Sequence, residues 1–269
     1  MSTPIAYERA GSGPTLVLIH GLGATKLVWK PQIERLARER DVIALDMPGF
    51  GDSPPLPDGT PPTAAAMGAA IASCLSELGI EQPHVAGNSL GGWVALEMAK
   101  AGAAASACLI SPAGLWQNPL GARSVNTRGV ARALKPVILA AARRDSTRAR
   151  LLGTVIARPE NVPEEDGLQV IRDWIEAPGY DASNAEMRRH VFEDPASVDV
   201  PVTIAWGELD RLVRPPSRNR RPPGSRFVVL PGCGHTPNWD DPELISQVLL
   251  EASDPAFVAE EPAATDLAG

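Results

Sequence analysis

The sequence predicts an α/β protein, with a doubly wound, mostly parallel sheet into which a helical domain is inserted. Two observations lead to this prediction. Continuous apolar runs alternate with helix-like segments over residues 15–110 and again over residues 202–252, and buried strands separated by helices are typical of parallel sheets covered on both faces. Between these regions, over residues 111–198, the strand pattern stops and helical segments rich in arginine take its place.

The first predicted unit is a strand, a helix and a second strand. Residues 15–20, TLVLIH, form an apolar run that ends in a glycine-rich loop, as expected of a central strand. Residues 26–40 have apolar side chains at helical spacing with charges between them. The run DVIALD at residues 41–46 repeats the strand pattern, so the three segments predict a β-α-β unit.

The next elements continue this alternation. Residues 63–78 are rich in alanine and are followed by Gly79, a pattern that favours a helix with a glycine in the usual C-terminal position. A strand is predicted to lead into Ser89, followed by a helix to about Ala101 and a further strand over residues 107–110.

The strand pattern resumes near the end of the chain. Residues 202–206 and 226–230 are predicted strands, and residues 242–252 form the last predicted helix. After it, residues 253–269 contain four acidic residues and neither Lys nor Arg. We expect this acidic tail to be disordered, because it offers few side chains that can pack.

These elements predict the domain organisation. Residues 1–110 and 199–252 form the α/β core, and the helical residues 111–198 are inserted between its two parts. The acidic tail, residues 253–269, lies outside both.

The composition favours an acidic enzyme that acts on a small molecule. The formal net charge is −7, which argues against nucleic acid or a membrane as the main partner. The three cysteines are widely spaced and form no C-x-x-C pair, so neither a disulfide framework nor a zinc site is expected. Residues 1–8 lack the features of a signal peptide, and no run reaches the roughly 18 apolar residues of a membrane span. We therefore expect a cytoplasmic protein.

A serine between glycines marks the turn from a predicted strand to a predicted helix. Residues 87–91 read G-N-S-L-G, and a serine at the apex of such a turn has its hydroxyl exposed above a helix N-terminus. Downstream, Asp210 and His235 each follow a predicted strand. Serine needs a base to remove its proton and an acid to orient that base. The carboxyl ends of neighbouring parallel strands can bring Ser89, Asp210 and His235 together.

Other residues compete for the roles of acid and base. Glu208 is a second carboxylate, two residues before the predicted acid. His20 directly precedes a glycine-rich loop, and we interpret it as structural. His84 begins a strand and His190 lies in the helical insertion, which leaves His235 as the predicted base.

Two backbone amides are candidates for binding the oxyanion of a tetrahedral intermediate. One is the N–H of Leu90, which follows the serine and opens a helix, and the other is the N–H of Leu22 in the loop after the first predicted strand. The sequence contains no metal-ligand cluster and no phosphate-binding loop, so no metal and no other cofactor is expected.

Together these motifs resemble the α/β-hydrolase superfamily. The resemblance runs from residue 5 to residue 252 and is carried by H-G-L-G at 20–23, D-M-P-G-F-G-D-S at 46–53, G-N-S-L-G-G at 87–92, W-G-E-L-D at 206–210 and G-H at 234–235. It implies a catalytic triad of Ser89, Asp210 and His235, with Asp210 as the acid. It also implies that residues 111–198 form a cap domain over the active site, and it specifies the fold better than the substrate.

The leading interpretation is a serine hydrolase that cleaves a carboxylic ester, or a related acyl compound, through an acyl-Ser89 intermediate. An alternative is a carbon-carbon bond hydrolase of the meta-cleavage type, acting on dienoic acids, because Asn88 and Trp239 also match those enzymes. These two side chains are the candidate substrate-binding residues; a structural role for Asn88, and a position in the core or at the rim of the site for Trp239, are the alternatives. Arg188 and Arg189 are candidates for binding an acidic substrate. A third interpretation is a non-catalytic protein that binds a small molecule on a hydrolase fold, although an intact triad argues against it.

One segment departs from the family pattern. Residues 211–226 contain six arginines and four prolines where relatives carry a regular helix, and four prolines leave room for at most a turn of helix. Two interpretations stay open: a solvated, shortened connection, or a binding site for an acidic partner.

Overall fold

The computed structural model describes residues 3–122 and 127–254. Its strands are Tyr7–Gly11 (β1), Thr15–Ile19 (β2), Asp41–Leu45 (β3), His84–Asn88 (β4), Ser106–Ile110 (β5), Val202–Gly207 (β6) and Arg226–Leu230 (β7). They form one sheet in the order β1-β3-β2-β4-β5-β6-β7. Every neighbouring pair is parallel except β1 with β3, which confirms the predicted, mostly parallel sheet.

Helices connect and flank these strands. In chain order they are Lys30–Leu36 (α1), Ala64–Glu77 (α2), Leu90–Lys100 (α3), Thr127–Ala133 (α4), Lys135–Ala142 (α5), Asp145–Leu152 (α6), Glu164–Glu176 (α7), Tyr180–Arg189 (α8) and Pro242–Ala252 (α9). Helix α9 has the predicted bounds. Helix α1 is shorter than predicted: a 3-10 helix at Lys26–Trp29 precedes it, and its first turn contains Pro31, which is tolerated at the start of a helix but not inside it.

Strand β1 is the strand that the sequence pattern missed. Its five residues, YERAG, are mostly exposed, so no apolar run marks it. It lies antiparallel to β3, with Tyr7 opposite Leu45. Arg9 in β1 donates to both carboxylate oxygens of Asp41, each at 2.8 Å, and this pair anchors the exposed edge strand to the buried β3.

Alternate side chains of the central strands fill two separate apolar cores. In β2, Val17 and Ile19 belong to one core, while Leu16 and Leu18 belong to the other. Helices α2 and α3 contribute to the first core and helices α1 and α9 to the second. This period of two in strands that are buried on both faces explains why they are continuous apolar runs in the sequence.

Residues of the helical segment between β5 and β6 contact the carboxyl edge of the sheet. The N–H of Gly179 donates to the carbonyl of Gly49, after β3, at 2.8 Å. The hydroxyl of Thr25, after β2, donates to the Asp173 carboxylate in α7 at 2.8 Å. The described part of this segment, which omits residues 123–126, contains α4 to α8 and no strand.

Two other predictions concern residues 211–226, between β6 and β7, and the tail after α9. Residues 211–226 contain a 3-10 helix at Arg218–Arg220 and no α-helix, as their four prolines predicted. Ser253, the first residue of the predicted tail, is buried and accepts a hydrogen bond from Arg40 Nε at 3.0 Å. Residues 255–269 of the predicted tail lie outside the described residues, and their disorder stays a prediction.

Within residues 3–122 and 127–254, no helix has both the length and the apolar composition that crossing a membrane requires.

Candidate active site

Ser89 lies at the apex of the turn between β4 and α3. Its φ of 54° and ψ of −115° are rare for a residue other than glycine. Three backbone hydrogen bonds hold this conformation: the Ser89 N–H donates to the carbonyl of Ile110 at 2.9 Å, and the Ser89 carbonyl accepts from Trp93 at 3.2 Å and Ala113 at 2.9 Å. The serine is partly exposed, whereas its neighbours on both sides are buried.

The glycines around Ser89 are required by the close approach of backbone segments. A Cβ atom on Gly87 would lie 2.2 Å from the carbonyl oxygen of Gly91, and one on Gly91 would lie 2.3 Å from the carbonyl oxygen of Ile19. No real Cβ atom approaches backbone so closely. The G-x-S-x-G spacing is therefore steric in origin, and it turns the serine outward above the N-terminus of α3.

His235 and Asp210 form a buried pair in the loops after β7 and β6. The distance from His235 Nδ1 to Asp210 Oδ2 is 2.8 Å, and the two side chains are 4% and 1% exposed. Because the carboxylate can only accept, Nδ1 carries the proton and Nε2 is left as an acceptor. Nε2 is buried and has no hydrogen-bond partner in the described chain, so the basic nitrogen of this pair is unoccupied.

Asp210 remains ionised in spite of its burial. Burial alone would raise the pKa of its carboxyl, but the hydrogen bond and charge of His235, together with the amides of Val213 and Leu212, outweigh it and lower the pKa. These amides donate to Oδ1 at 3.0 Å and 2.8 Å. The competing carboxylate, Glu208, instead accepts from the N–H of Gly232 at 2.8 Å and is exposed.

A second buried carboxylate, which sequence reasoning missed, holds the loop that carries His235. Asp240 is 2% exposed and accepts from the N–H groups of Gly234 at 2.7 Å, Arg158 at 2.6 Å and Ala157 at 3.2 Å. Next to it, the N–H of Thr236 donates to the carbonyl of Val155 at 2.8 Å. Residues of the helical segment thus brace the histidine loop directly.

The structure changes the interpretation of Asn88. Substrate contact and a structural role were both open for it; it is 2% exposed, and both of its N–H donors are used by the protein. They donate to the carbonyls of His235 at 2.8 Å and Ile110 at 3.1 Å, while its oxygen accepts from Thr236 at 3.4 Å. Asn88 therefore ties the backbone of the histidine loop to the end of β4.

Trp239 and the two arginines of the helical segment, Arg188 and Arg189, also have partners within the protein. Trp239 is 5% exposed and packs in the core that α1 and α9 cover, so it is not placed to contact a substrate. Arg188 donates to the backbone carbonyls of Gly121 and Leu120. Arg189 pairs with Glu186 at 2.8 Å on an exposed surface. Each guanidinium group thus has a partner within the protein.

Two other histidines, His84 and His190, lie away from Ser89. His84 begins β4, at the opposite end of the strand from the serine, where its Nδ1 lies 2.9 Å from Ser106 Oγ. His190 follows α8 and is exposed, 3.3 Å from Glu186.

His20 orients the loop that contains Leu22. Its Nε2 accepts from the N–H of Met47 at 3.0 Å, and its Nδ1 lies 2.7 Å from the carbonyl oxygen of Gly21. Nε2 therefore carries no proton and Nδ1 donates, which fixes a neutral ring. Burial lowers the pKa of His20 to about 4, against the hydrogen bond to Gly21 and the charge of Asp46, which raise it.

We expect the fold to lose stability as the pH falls from about 6.5 to about 4, with His20 contributing to the loss. The unfolded chain has the ordinary histidine pKa of 6.5, while the folded chain binds this proton only near pH 4. Acid therefore favours the unfolded chain, and the contribution is complete only above the unfolded value. Urea unfolding at about pH 7.5 and about pH 5 measures the difference in free energy.

The control for this pH dependence is His20→Gln, which keeps polar atoms at the site but does not titrate in this range. Its loss of unfolding free energy between the two pH values should be smaller than that of the wild type. Equal losses in the two proteins would contradict the assignment to His20.

The two candidate oxyanion donors face no acceptor of the protein. Leu90 opens α3, where the first N–H groups of a helix have no intrahelical partner, and neither its amide nor that of Leu22 donates to an acceptor elsewhere in the described residues. The two loops are in contact, since a Cβ atom on Gly21 would lie 3.3 Å from the Cβ of Ser89. Both amides are thus free, one directly after the serine and one in the loop that contacts it.

Three of the loops that follow the central strands carry a partly buried apolar side chain. Leu22 after β2, Trp116 after β5 and Val213 after β6 are partly buried and pack against one core. In the part of the chain that the structure describes, no three His, Cys, Asp or Glu side chains converge as metal ligands would.

This fold and this loop geometry agree with what comparison with known proteins finds. Residues 16–248 match the alpha/beta hydrolase family, and the chain belongs to that family. The predicted superfamily is therefore confirmed, and the chain is a member of a family of hydrolytic enzymes.

The individual relatives differ in the activities for which they are named. Epoxide hydrolase EphH of Mycobacterium tuberculosis is 35% identical over 191 residues, which cover 65% of this chain and 87% of that protein. The dihydrolipoyllysine-residue acetyltransferase component of the acetoin cleaving system of Cupriavidus necator is 31% identical over 247 residues, or 86% of this chain. The chain spans 61% of that relative's length. A solved thermophilic esterase from Thermogutta terrifontis is 25% identical, with a TM-score of 0.69 over 92% of both chains.

Proposed function

We propose that the protein is a serine hydrolase that cleaves a carboxylic ester, or a related acyl compound, of a small-molecule substrate. Ser89 is the nucleophile, His235 the general base and Asp210 the acid that orients it. The amides of Leu22 and Leu90 form the oxyanion hole. The observation that carries the proposal is the buried Asp210–His235 pair, whose basic Nε2 has no partner and therefore has a lone pair to accept the proton of Ser89.

In the first half of the reaction, Ser89 Oγ attacks the carbonyl carbon while His235 Nε2 takes the hydroxyl proton. The oxyanion that forms accepts from the two free amides. His235 then returns the proton to the departing alkoxide oxygen, which leaves as an alcohol and gives the acyl-serine. Ser89 Oγ and His235 Nε2 are not hydrogen-bonded to each other in this structure. Catalytic hydrogen bonds of this kind commonly tighten only when the substrate binds.

In the second half, water attacks the acyl carbon and His235 removes its proton. Collapse of the second tetrahedral intermediate breaks the bond to Ser89 Oγ, which regains the proton from His235, and the carboxylic acid leaves. Throughout, the ionised Asp210 stabilises the imidazolium that forms twice in each cycle.

A serine at position 89 favours acyl transfer over epoxide opening, the activity named for one relative. Attack of a serine oxygen on an epoxide carbon forms an ether, and the same base and water cannot release it. Attack on an ester forms an acyl-serine, which water does release. A covalent intermediate at Ser89 is therefore productive for an ester but not for an epoxide.

The contacts of three side chains favour an ester over a dienoic acid. Carbon-carbon cleavage requires groups that hold the substrate carboxylate and assist ketonisation, and Asn88, Arg188 and Arg189 were the candidates. All three are bound to other groups of the protein. We propose instead that Leu22, Trp116 and Val213 line an apolar cleft for an uncharged acyl group, beneath a cap formed by residues 111–198.

We expect p-nitrophenyl esters of short acids to be hydrolysed with a higher kcat/KM than any ring-cleaved dienoate. Asn88→Ala should lower kcat/KM for both substrate types by a similar factor, because it releases the His235 loop and removes no substrate contact. Steady-state kinetics on the two substrate types measure both effects.

Arg189→Ala, which removes only an exposed ion pair, is the control variant and should leave the ester rates unchanged. A preference for the dienoate that falls more than about tenfold in Asn88→Ala, roughly 1.4 kcal/mol, would establish the carbon-carbon hydrolase instead. Failure to hydrolyse any activated ester would favour a non-catalytic binding protein.

A further inference from the structure

An apolar stripe lies on the outer side of α4 and α5. Three of its side chains are large, apolar and exposed: Val130 is 62% exposed, Leu134 49% and Val137 65%. With the exposed Ala133 and Ala140, these positions recur every three or four residues, so they share one side of a helix. We define the outer stripe as Val130, Ala133, Leu134, Val137 and Ala140.

The two helices are continuous enough to present this stripe as one surface. The N–H of Leu134, between them, donates to the carbonyl of Val130 at 3.0 Å, and the N–H of Ile138 donates to the carbonyl of Leu134 at 2.9 Å. The opposite side of the helices is the one that packs: Ala131 and Ala142 are buried in an apolar core. The outer stripe is therefore additional apolar surface that the fold does not require.

The charge around the outer stripe is opposite in sign to that of the whole chain. Residues 127–152 contain seven Lys or Arg and a single Asp, in a chain whose net charge is −7. Helices α7 and α8 neutralise part of this charge, through the pairs Lys135–Glu176 and, at 3.2 Å, Arg128–Asp181.

Two cations at the end of the stripe have no such neutralising contact. Arg143 and Arg144 directly follow α5, which ends at Ala142, and both are exposed. Neither forms an ion pair with any carboxylate among the described residues. An exposed aliphatic stripe with two free cations beyond its end combines the apolar and basic groups by which helices bind a membrane interface.

We propose that the outer stripe, together with Arg143 and Arg144, docks on an anionic lipid surface. Val, Leu and Ala bury well at the boundary between headgroups and acyl chains, and arginines beside them attract anionic lipids. The overall charge of −7 does not prevent docking, because salt confines electrostatic attraction to charges within about 10 Å of the surface.

Sedimentation of the full chain with lipid vesicles tests this proposal. We expect it to bind vesicles of phosphatidylglycerol mixed with phosphatidylcholine, to bind pure phosphatidylcholine much less, and to be released by salt. Val137→Asp and the double variant Arg143→Glu with Arg144→Glu should each weaken binding at least about tenfold. Val229→Asp, which changes a 49% exposed valine on β7, is the matched control and should bind like the wild type.

Three outcomes would overturn the proposal. They are a wild type that does not bind the anionic vesicles, a Val137→Asp variant that binds them as the wild type does, and an equal loss in Val229→Asp. Dimerisation that Val137→Asp abolishes, or binding to polyglutamate, in the absence of vesicle binding would assign the surface to a second copy or to an acidic protein. Hydrolysis of p-nitrophenyl esters in buffer without vesicles should be unchanged in Val137→Asp, which reports on folding and tests the proposed function separately.

Discussion

Replacement of Ser89 by alanine should lower kcat for ester hydrolysis by about 10⁴-fold or more, because the three residues of a triad act as a unit and lose most of their effect with any one of them. This corresponds to about 5.5 kcal/mol of transition-state stabilisation. His235 and the two free amides remain in the variant, but no covalent intermediate can form. The rate that remains is that of water attack assisted by the oxyanion amides alone.

The fold should tolerate this change. Alanine retains the Cβ atom, so the strain of a positive φ at position 89 is the same as in the wild type. The hydrogen bonds that hold the turn are made by backbone atoms, and they also remain. Circular dichroism and the melting temperature of Ser89→Ala should therefore match those of the wild type.

Labelling by a fluorophosphonate provides the second measurement for Ser89. The wild type should be labelled once and Ser89→Ala not at all, whereas Ser146→Ala, an exposed serine of α6, should be labelled and active like the wild type. A folded Ser89→Ala that retains more than a few per cent of the wild-type rate would exclude an acyl-Ser89 mechanism.

The parts of the fold that the sequence predicted are those with a strong local signal. Strands buried on both faces are apolar over most of their length, and so β2, β3 and β4 are each predicted from a single run. Strand β1 has no such run because most of its side chains face solvent. Its position depends on pairing with β3 and on the contact of Arg9 with Asp41, neither of which a local pattern contains.

In the candidate site too, the residues that local patterns mark were predicted, and those whose role depends on distant contacts were not. The positions of Ser89, Asp210 and His235 follow from loops at the ends of predicted strands, and the structure pairs Asp210 with His235. The roles of Asn88 and Asp240 depend on backbone groups far away in the chain, such as the 147-residue separation between Asn88 and His235. A side chain beside a nucleophile is equally consistent with substrate contact and with support of a loop, and only the partners of its donors distinguish the two.

Asp210→Asn should be the second most damaging change, with a loss of about 10⁴-fold in kcat. The amides of Leu212 and Val213 both donate to Oδ1 of Asp210. In the variant they hold the amide oxygen in that place, which turns the NH₂ group toward Nδ1 of His235. A donor at that position forces the ring proton onto Nε2, and the nitrogen that must accept the proton of Ser89 then carries one already.

Glu208→Gln is the matched control for Asp210→Asn, since it makes the same chemical change in a carboxylate two residues earlier. Glu208 accepts from the Gly232 amide, a role that the oxygen of glutamine can fill, so kcat should fall less than about tenfold in this variant. KM should change little in either variant, because neither carboxylate is placed to touch the substrate. If Glu208→Gln were the more damaging of the two, Glu208 would be the acid and the Asp210–His235 hydrogen bond would have only a structural role.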